Sequence, residues 1–367
     1  QYNHLLSDEL EDVIAKFSIS GGDGWEQLFE AMTSGVEGEF KGEKVTLSEI
    51  RNMAYDADAA VRKEAYETEL KMYDTIKEPI AFALNNIKQQ VLTETSLRGF
   101  ESPLAQTLEA SRMSRKTLDA LLEAIREYLP QFRAYLKHKA SLLGHENGLP
   151  FYDLFAPIGE SSRRFTIEES KEFLLENFKG FSEDLAQMTK EAYENNYIDF
   201  LPRKGKVGGA FCSNLPFIKQ SRILTNFSGS LSDVVTIAHE LGHAYHGLHV
   251  ENHLPLNWDY PMPVAETASI FNENLIMSAA LNEASDKDKI TLMESQISDC
   301  AQITVDIYSR FLFEKEVFER KLDHFMMSEE LEEIMRNAQK ETYGDGLDPK
   351  TYHPFMWTCK PHYYSAG

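Results

Sequence analysis

The sequence predicts a mainly α protein: a large helical body with one small β-hairpin set just before its most distinctive helix. Three observations carry that expectation. Apolar residues recur at three- and four-residue spacing over long stretches, as on one face of a helix. Helix-start signals repeat, among them two capping boxes, Thr46-Leu47-Ser48-Glu49 and Thr166-Ile167-Glu168-Glu169. A convincing strand pattern occurs in one place only, between Val207 and Phe227.

In chain order, Ser7 opens an acidic amphipathic run through Phe17 that stops near Gly21-Gly22, and Trp25, Leu28 and Phe29 begin another. Over residues 58–95, Val61, Ala65, Leu70, Met72, Ile76, Ile80, Leu84, Ile87 and Val91 keep helical spacing, and Pro79 is expected to kink or divide the run. Ser114 caps a helix reaching Leu129, Pro130 separates it from a continuation to Leu143, and Gly144 supplies the stop. Residues 149–162 form a loop rich in aromatics and proline, followed by helices over about 166–178 and 183–193. Residues 208–212 and 221–227 read as two strands joined by a turn through Pro216. Beyond them, helices are expected over about 275–281, 287–318 and 328–342, then an aromatic, His-rich tail. There is no Ser/Gly/Pro linker and no repeat, so any lobes share a continuous helical body.

Composition narrows the function. With 42% apolar residues, the 367-residue chain has ample material for a core. A net charge of −22 with no Lys/Arg cluster would repel a nucleic-acid backbone. No window approaches 18 uninterrupted apolar residues, so no membrane span is expected. Cys212, Cys300 and Cys359 are far apart and form no C-x-x-C pair, and the first thirty residues are polar and acidic rather than leader-like. Both features fit a reducing cytoplasm.

The chemistry concentrates in Val234-Val235-Thr236-Ile237-Ala238-His239-Glu240-Leu241-Gly242-His243-Ala244-Tyr245-His246. On a helix, His239 and His243 leave one face a turn apart, placed for two nitrogen bonds of roughly 2.0–2.1 Å to one zinc ion. Glu240 is the residue that His-Glu-x-x-His assigns as general base toward a metal-bound water. Ser232 or Asp233 is expected to cap this helix. Its apolar residues place the polar trio inside the protein, where each unpaired polar group would cost on the order of 2–7 kcal/mol; a metal removes that cost.

A catalytic zinc needs a third protein ligand and an open position. His249 has the spacing of H-E-x-x-H-x-x-G-x-x-H, but the bending glycine of that pattern is His246 here, and Gly247 comes one residue late. Glu266 is the favoured ligand: Pro261 and Pro263 mark entry to a new helix with Glu266 in its first turns. Glu273, seven residues on along the same face, has no assigned role.

His239-Glu-Leu-Gly-His243-Ala-Tyr-His246, followed by Ala265-Glu266-Thr-Ala-Ser, resembles the thimet oligopeptidase and oligoendopeptidase F family of zinc peptidases, nearest its bacterial oligoendopeptidase F branch. Leu97-Arg98-Gly99-Phe100-Glu101-Ser102-Pro103, Tyr152-Asp153-Leu154-Phe155-Ala156-Pro157, Gly208-Gly209-Ala210-Phe211-Cys212 and Pro361-His362-Tyr363-Tyr364 are similar to it as well. The resemblance implies one Zn2+ per chain on His239, His243 and Glu266, and an endopeptidase acting on short unstructured peptides with Glu240 as base. It further implies His362 as an oxyanion or substrate contact, and Gly209, Ala210, Phe211, His246, Tyr363 and Tyr364 along the substrate. It divides the chain into a helical channel wall over 1–200 and a catalytic region over 201–367. Members of the family are longer at both ends, so the chain is expected to be a catalytic core lacking N- and C-terminal parts.

Overall fold

The computed structural model describes residues 4–159, 163–203, 206 and 209–366. Of the segments singled out above, Ser162, Val207, Gly208 and Gly367 lie outside the described residues. Helices dominate, and in chain order α1 (Asp8–Ser20) and α2 (Gly22–Gly35) lead into a hairpin of β1 (Glu37–Phe40) and β2 (Glu43–Thr46). Then come α3 (Leu47–Asn52), α4 (Ala59–Leu97), α5 (Pro103–Ala110) and α6 (Arg115–Leu142). The middle of the chain holds α7 (Ile167–Lys179), α8 (Glu183–Glu194), β3 (Ile198–Asp199), β4 (Phe211–Leu215), β5 (Gln220–Leu224), α9 (Leu231–Val250) and α10 (Thr267–Glu283). Last are α11 (Asp286–Ala301), α12 (Ile307–Lys321), α13 (Ser328–Tyr343) and the short α14 (Met356–Cys359).

Both expected capping boxes form, at Thr46–Glu49 and Thr166–Glu169. The two prolines do not divide their helices: α4 runs 39 residues through Pro79, and α6 runs 28 residues through Pro130. Each proline removes one backbone donor. In α4 the turns on either side are buried through Ile76, Ile80, Ala83 and Leu84, and that packing outweighs the lost bond. The helix expected over 287–318 is α11 and α12 joined by a π-helical turn, Gln302–Asp306.

The β1–β2 hairpin was not anticipated. Its register pairs Phe40 with Glu43, and both loop residues are left-handed, Lys41 at φ 52° and Gly42 at φ 84°. That is the turn geometry whose twist matches two antiparallel strands.

The chain divides into two compact units with boundaries other than residue 200: residues 1–158 with 295–367, and residues 159–294. The first is built on α4, whose Ile80, Leu84 and Ile87 are fully buried in a core that also holds Tyr73, Phe313 and Trp357. Asn85 ties that helix to a distant loop, donating to Met326 O at 2.8 Å and accepting from Met326 N at 2.9 Å.

The second unit packs α7 and α8, the sheet, α9 and α10 around Leu174, Phe178, Leu185, Val234, Ile237, Leu241 and Ile276. Its strand order is β3-β5-β4, with β5 parallel to β3 and antiparallel to β4. Strand β4 is therefore an edge, with Phe211 and Leu215 exposed. The turn after it is Pro216–Ile218, as expected, closed by Lys219 in the left-handed region at φ 54°.

Candidate metal centre

Helix α9 begins earlier than expected. Its N-cap is Ser230, not Ser232 or Asp233. Ser230 Oγ accepts from Asp233 N at 3.1 Å, and Asp233 Oδ2 accepts from the backbone of Ser230 and of Ser228, each at 2.9 Å. Burial raises the Asp233 carboxyl, but the donors from Ser230 and Ser228 outweigh it and hold it below the ordinary aspartate range. From this start the helix buries Val234, Ile237, Ala238 and Leu241, each larger side chain contributing roughly 1.5–3 kcal/mol. That face fixes the rotation about the axis, and so fixes where His239 and His243 point.

Glycine 242 sets the distance to the next helix. A Cβ there would lie 2.5 Å from Ser269 Cα and 2.6 Å from Ala268 O, so only glycine lets the start of α10 lie this close. Asn272, almost fully buried, adds a bond from Nδ2 to Ala238 O at 3.2 Å. On the other flank, Asn214 of β4 donates to His243 O at 3.3 Å and accepts from Ser221 at 2.7 Å. The hairpin is thereby tied to the histidine helix.

Close packing delivers Glu266. It is the N-cap residue of α10 rather than part of its first turn, and its side chain makes no cap bond. Instead, Oε2 lies 3.3 Å from His239 Nε2 and 3.3 Å from His243 Nε2, while those two nitrogens are 3.1 Å apart. Ser269 Oγ donates to the same Oε2 at 2.7 Å. Ligand atoms on a tetrahedral zinc with bonds of about 2.0–2.1 Å stand roughly 3.3–3.4 Å apart, so this donor set fits that ion. His239, His243 and Glu266 are the one such group among the described residues.

Glu273, the carboxylate without a sequence-based role, has one here: it accepts from His239 Nδ1 at 2.5 Å. A carboxylate at Nδ1 fixes the tautomer and leaves Nε2 as the free donor atom. Burial lowers the His239 imidazole, but the bond and charge of Glu273, with Glu240 and Glu266, bring it above its ordinary value. His243 goes the other way, lowered chiefly by burial against the pull of Glu266. Glu240 is 6% exposed; burial raises its carboxyl, His239 opposes this, and the Glu266 and Glu273 charges reinforce it. The half-buried Cys212 thiol is pushed up to about 12 by burial and then by the Glu240 charge, which keeps it protonated and a poor ligand.

His249 takes no part in the cluster. Helix α9 continues without a bend to Val250, so His249 lies about 9 Å further along the axis than His243. It is exposed, with its ring edge-on to Tyr245 at 4.6 Å. Gly209 has φ 76° and its carbonyl accepts from Asn226; Ala210 follows, and Phe211 opens β4. The His246 ring lies 4.3 Å from Tyr260, with its buried Nδ1 unbonded among the described residues.

In the other unit, His362 is exposed on the turn Pro361–Tyr364. Tyr363 and Tyr364 correct the expectation placed on them. Tyr363 is 3% exposed and donates to Arg310 O, and Tyr364 is fully buried, stacked on Phe29 at 3.9 Å and donating to Trp357 O at 2.9 Å. Neither phenol is open to a peptide.

Sequence reading missed Gly242, Asn214 and Ser269. Gly242 was visible as a glycine in the apolar part of a helix, a pattern that signals close approach; the other two carry no sequence signal.

A mainly helical body sets His-Glu-x-x-His on an apolar helix, with a carboxylate delivered by the following helix, a donor set that could hold a metal ion. Peptidase family M3 matches residues 52–367, and the chain belongs to that family. It is 27% identical over 329 residues to the chromosomal oligoendopeptidase F of Lactococcus lactis subsp. cremoris, covering 88% of this chain and 54% of that one. It is 24% identical over 372 residues to oligopeptidase PepF of Bacillus subtilis strain 168, covering 98% and 55%. The crystal structure of oligoendopeptidase-F from Enterococcus faecium superposes with a TM-score of 0.72 at 20% identity, covering 99% of this chain and 60% of that one. The chain thus spans little more than half the length of the relatives it matches.

Proposed function

We propose that the chain carries the catalytic centre of a zinc-dependent endopeptidase that hydrolyses internal bonds of short, unstructured peptides. The observation that carries this reading is the triangle of His239, His243 and Glu266 donor atoms beside the buried Glu240. Membership of peptidase family M3, and the oligopeptidase names of its relatives, support the substrate class. The three cysteines are free, which favours a reducing, cytoplasmic setting; among the described residues no helix is long and apolar enough to cross a membrane.

In this reading His239, His243 and Glu266 hold one ion per chain, with Glu273 and Ser269 orienting them. When bound, zinc would polarise the scissile carbonyl and lower the pKa of a coordinated water toward ~7. Glu240, made more basic by its burial, takes the proton from the attacking water. It returns that proton to the leaving amine as the C–N bond breaks. The exposed edge β4, entered through Gly209, Ala210 and Phe211, takes the extended peptide as an added strand, with His246 nearby. His362 is assigned an oxyanion contact by the family resemblance alone, which the His362→Ala variant tests.

The burial of both Tyr363 and Tyr364 favours a second reading, a chain that binds zinc but turns over poorly because neither of these phenols is open to a peptide. Cleavage of an internally quenched peptide with zinc, with chelator, and by Glu240→Gln and His362→Ala separates the two. Chelator-sensitive cleavage lost in Glu240→Gln, and reduced about 10²-fold or more in His362→Ala, is expected. No cleavage by a folded, zinc-loaded chain would leave the second reading; cleavage by Glu240→Gln at the original rate would remove the first.

A further inference from the structure

The unit formed by residues 1–158 and 295–367 contains a cavity of about 670 Å3 that the peptidase reading does not use. Its volume is that of a small-molecule site. Its walls combine aromatic rings with an excess of nitrogen donors. His353, 1% exposed, stands between Phe151, Tyr66 and Tyr73 at ring distances of 5.2, 5.8 and 5.9 Å. Neither of its ring nitrogens has an aligned hydrogen-bond partner among the described residues. The nearest acceptor, Glu69 Oε1, lies 3.4 Å from Nε2.

Charge in the wall is unevenly matched. Arg62 is taken by Asp153 at 2.7 Å, and Asp306 is taken by Arg310 and by Tyr343. Glu69 is shared: Arg51 Nε lies 3.3 Å from the same Oε1 that faces His353. Burial raises the Glu69 carboxyl, but His353, Arg51 and Lys360 together hold it below the ordinary range. The Lys360 ammonium has no hydrogen bond or ion pair among the described residues. Burial lowers its pKa; Cys359 and Asp306 pull it back up, but the positive charges of Arg310 and Arg51 keep it below the ordinary lysine value. The remaining carboxylate of the wall, Glu30, is on the solvent-exposed side. With Asp306 already held by Arg310 and Tyr343, Glu69 is the buried carboxylate left to answer Arg51, Lys360 and His353, in a chain whose net charge is −22.

An unpaired ammonium beside a guanidinium with free terminal N–H groups is a receptor for a carboxylate. The aromatic wall then asks for an apolar or aromatic body attached to it. We propose that this cavity binds an organic carboxylate with an aromatic body, its oxygens on Arg51 and Lys360 and its ring against the accessible rings of Tyr55, Tyr66 and Phe155. The same chemistry is offered by the C-terminal end of a peptide and by a free aryl-alkanoic acid.

The test is calorimetric titration of the purified chain in chelator, which removes metal coordination at His239, His243 and Glu266 as a competing explanation. The probes are N-acetyl-phenylalanine, its amide, and 3-phenylpropionate. At least one acid is expected to bind with Kd of about 1 mM or tighter, and the amide at least about tenfold more weakly than its acid. The tighter of the two acids identifies the source. Lys360→Met should weaken the acid at least about tenfold and Lys360→Arg should restore it. The comparison of acid with amide uses the unsubstituted chain and does not depend on how a variant folds. Equal binding of acid and amide, no binding of either acid at 10 mM, or full affinity in a folded Lys360→Met chain would each overturn the proposal.

Discussion

A methyl group is the smallest change that should disturb the candidate metal centre. At Gly242 the space for a Cβ is filled by backbone of α10, which cannot swing aside as a side chain would. Gly242→Ala is expected to destabilise the fold by about 1–3 kcal/mol and to lower zinc affinity at least tenfold, because Glu266 moves out with α10. Equilibrium dialysis against a zinc indicator, with thermal melts in parallel, checks both. Glu273 acts at one remove. Replacing it with Gln keeps the shape but removes the charge that fixes the His239 tautomer, and a 10–100-fold loss of zinc affinity with little change in stability is expected. The role of Glu273 was not legible in the sequence, because a carboxylate two turns along a helix looks the same whether it faces solvent or an imidazole. His239, Glu240 and His243 were legible, because an apolar stretch cannot hold three unpaired polar groups without a reason.

At the scale of the element, the start of α9 carries a pH dependence. The folded Asp233 carboxyl sits below its unfolded value of about 3.9, so its bonds contribute stability that is fully present above that pH and is lost as pH falls through the lowered value. Asp233→Asn should therefore cost about 1 kcal/mol at pH 7, with the gap to the parent chain closing at low pH. Urea melts at pH 7 and pH 3 measure it; a gap unchanged between them would count against the assignment. Elements governed by local bonds were readable from sequence, as the Thr46 and Thr166 boxes and the Pro216 turn illustrate. The β1–β2 hairpin was not, since Glu-Gly-Glu-Phe lacks alternation and its Lys41-Gly42 turn reads as ordinary surface. The unbroken paths of α4 and α6 through proline depend on tertiary packing, which local signals do not report.

For the whole molecule, two cores imply two cooperative transitions. Only the unit of residues 159–294 contains His239, His243 and Glu266. Scanning calorimetry is expected to resolve two components, and zinc at 100 times its Kd should raise only one, by about 2.7 kcal/mol of added stability. A single transition, or an equal shift of both components, would mean that the units unfold together. The division itself was hidden from sequence reading because no linker marks it: the boundary after Glu294 falls inside α11, in the middle of a continuous helix.

Glu266 and Glu273 reach His239 from the two ends of its ring, yet they come from one short piece of chain. Inserting or deleting a single residue between them would turn one carboxylate by about 100° relative to the other. The connection from Glu251 to Ala265 carries no such phase. Sequence drift in length should therefore collect in that connection and be absent between 266 and 273, so the site sets where this chain tolerates insertions.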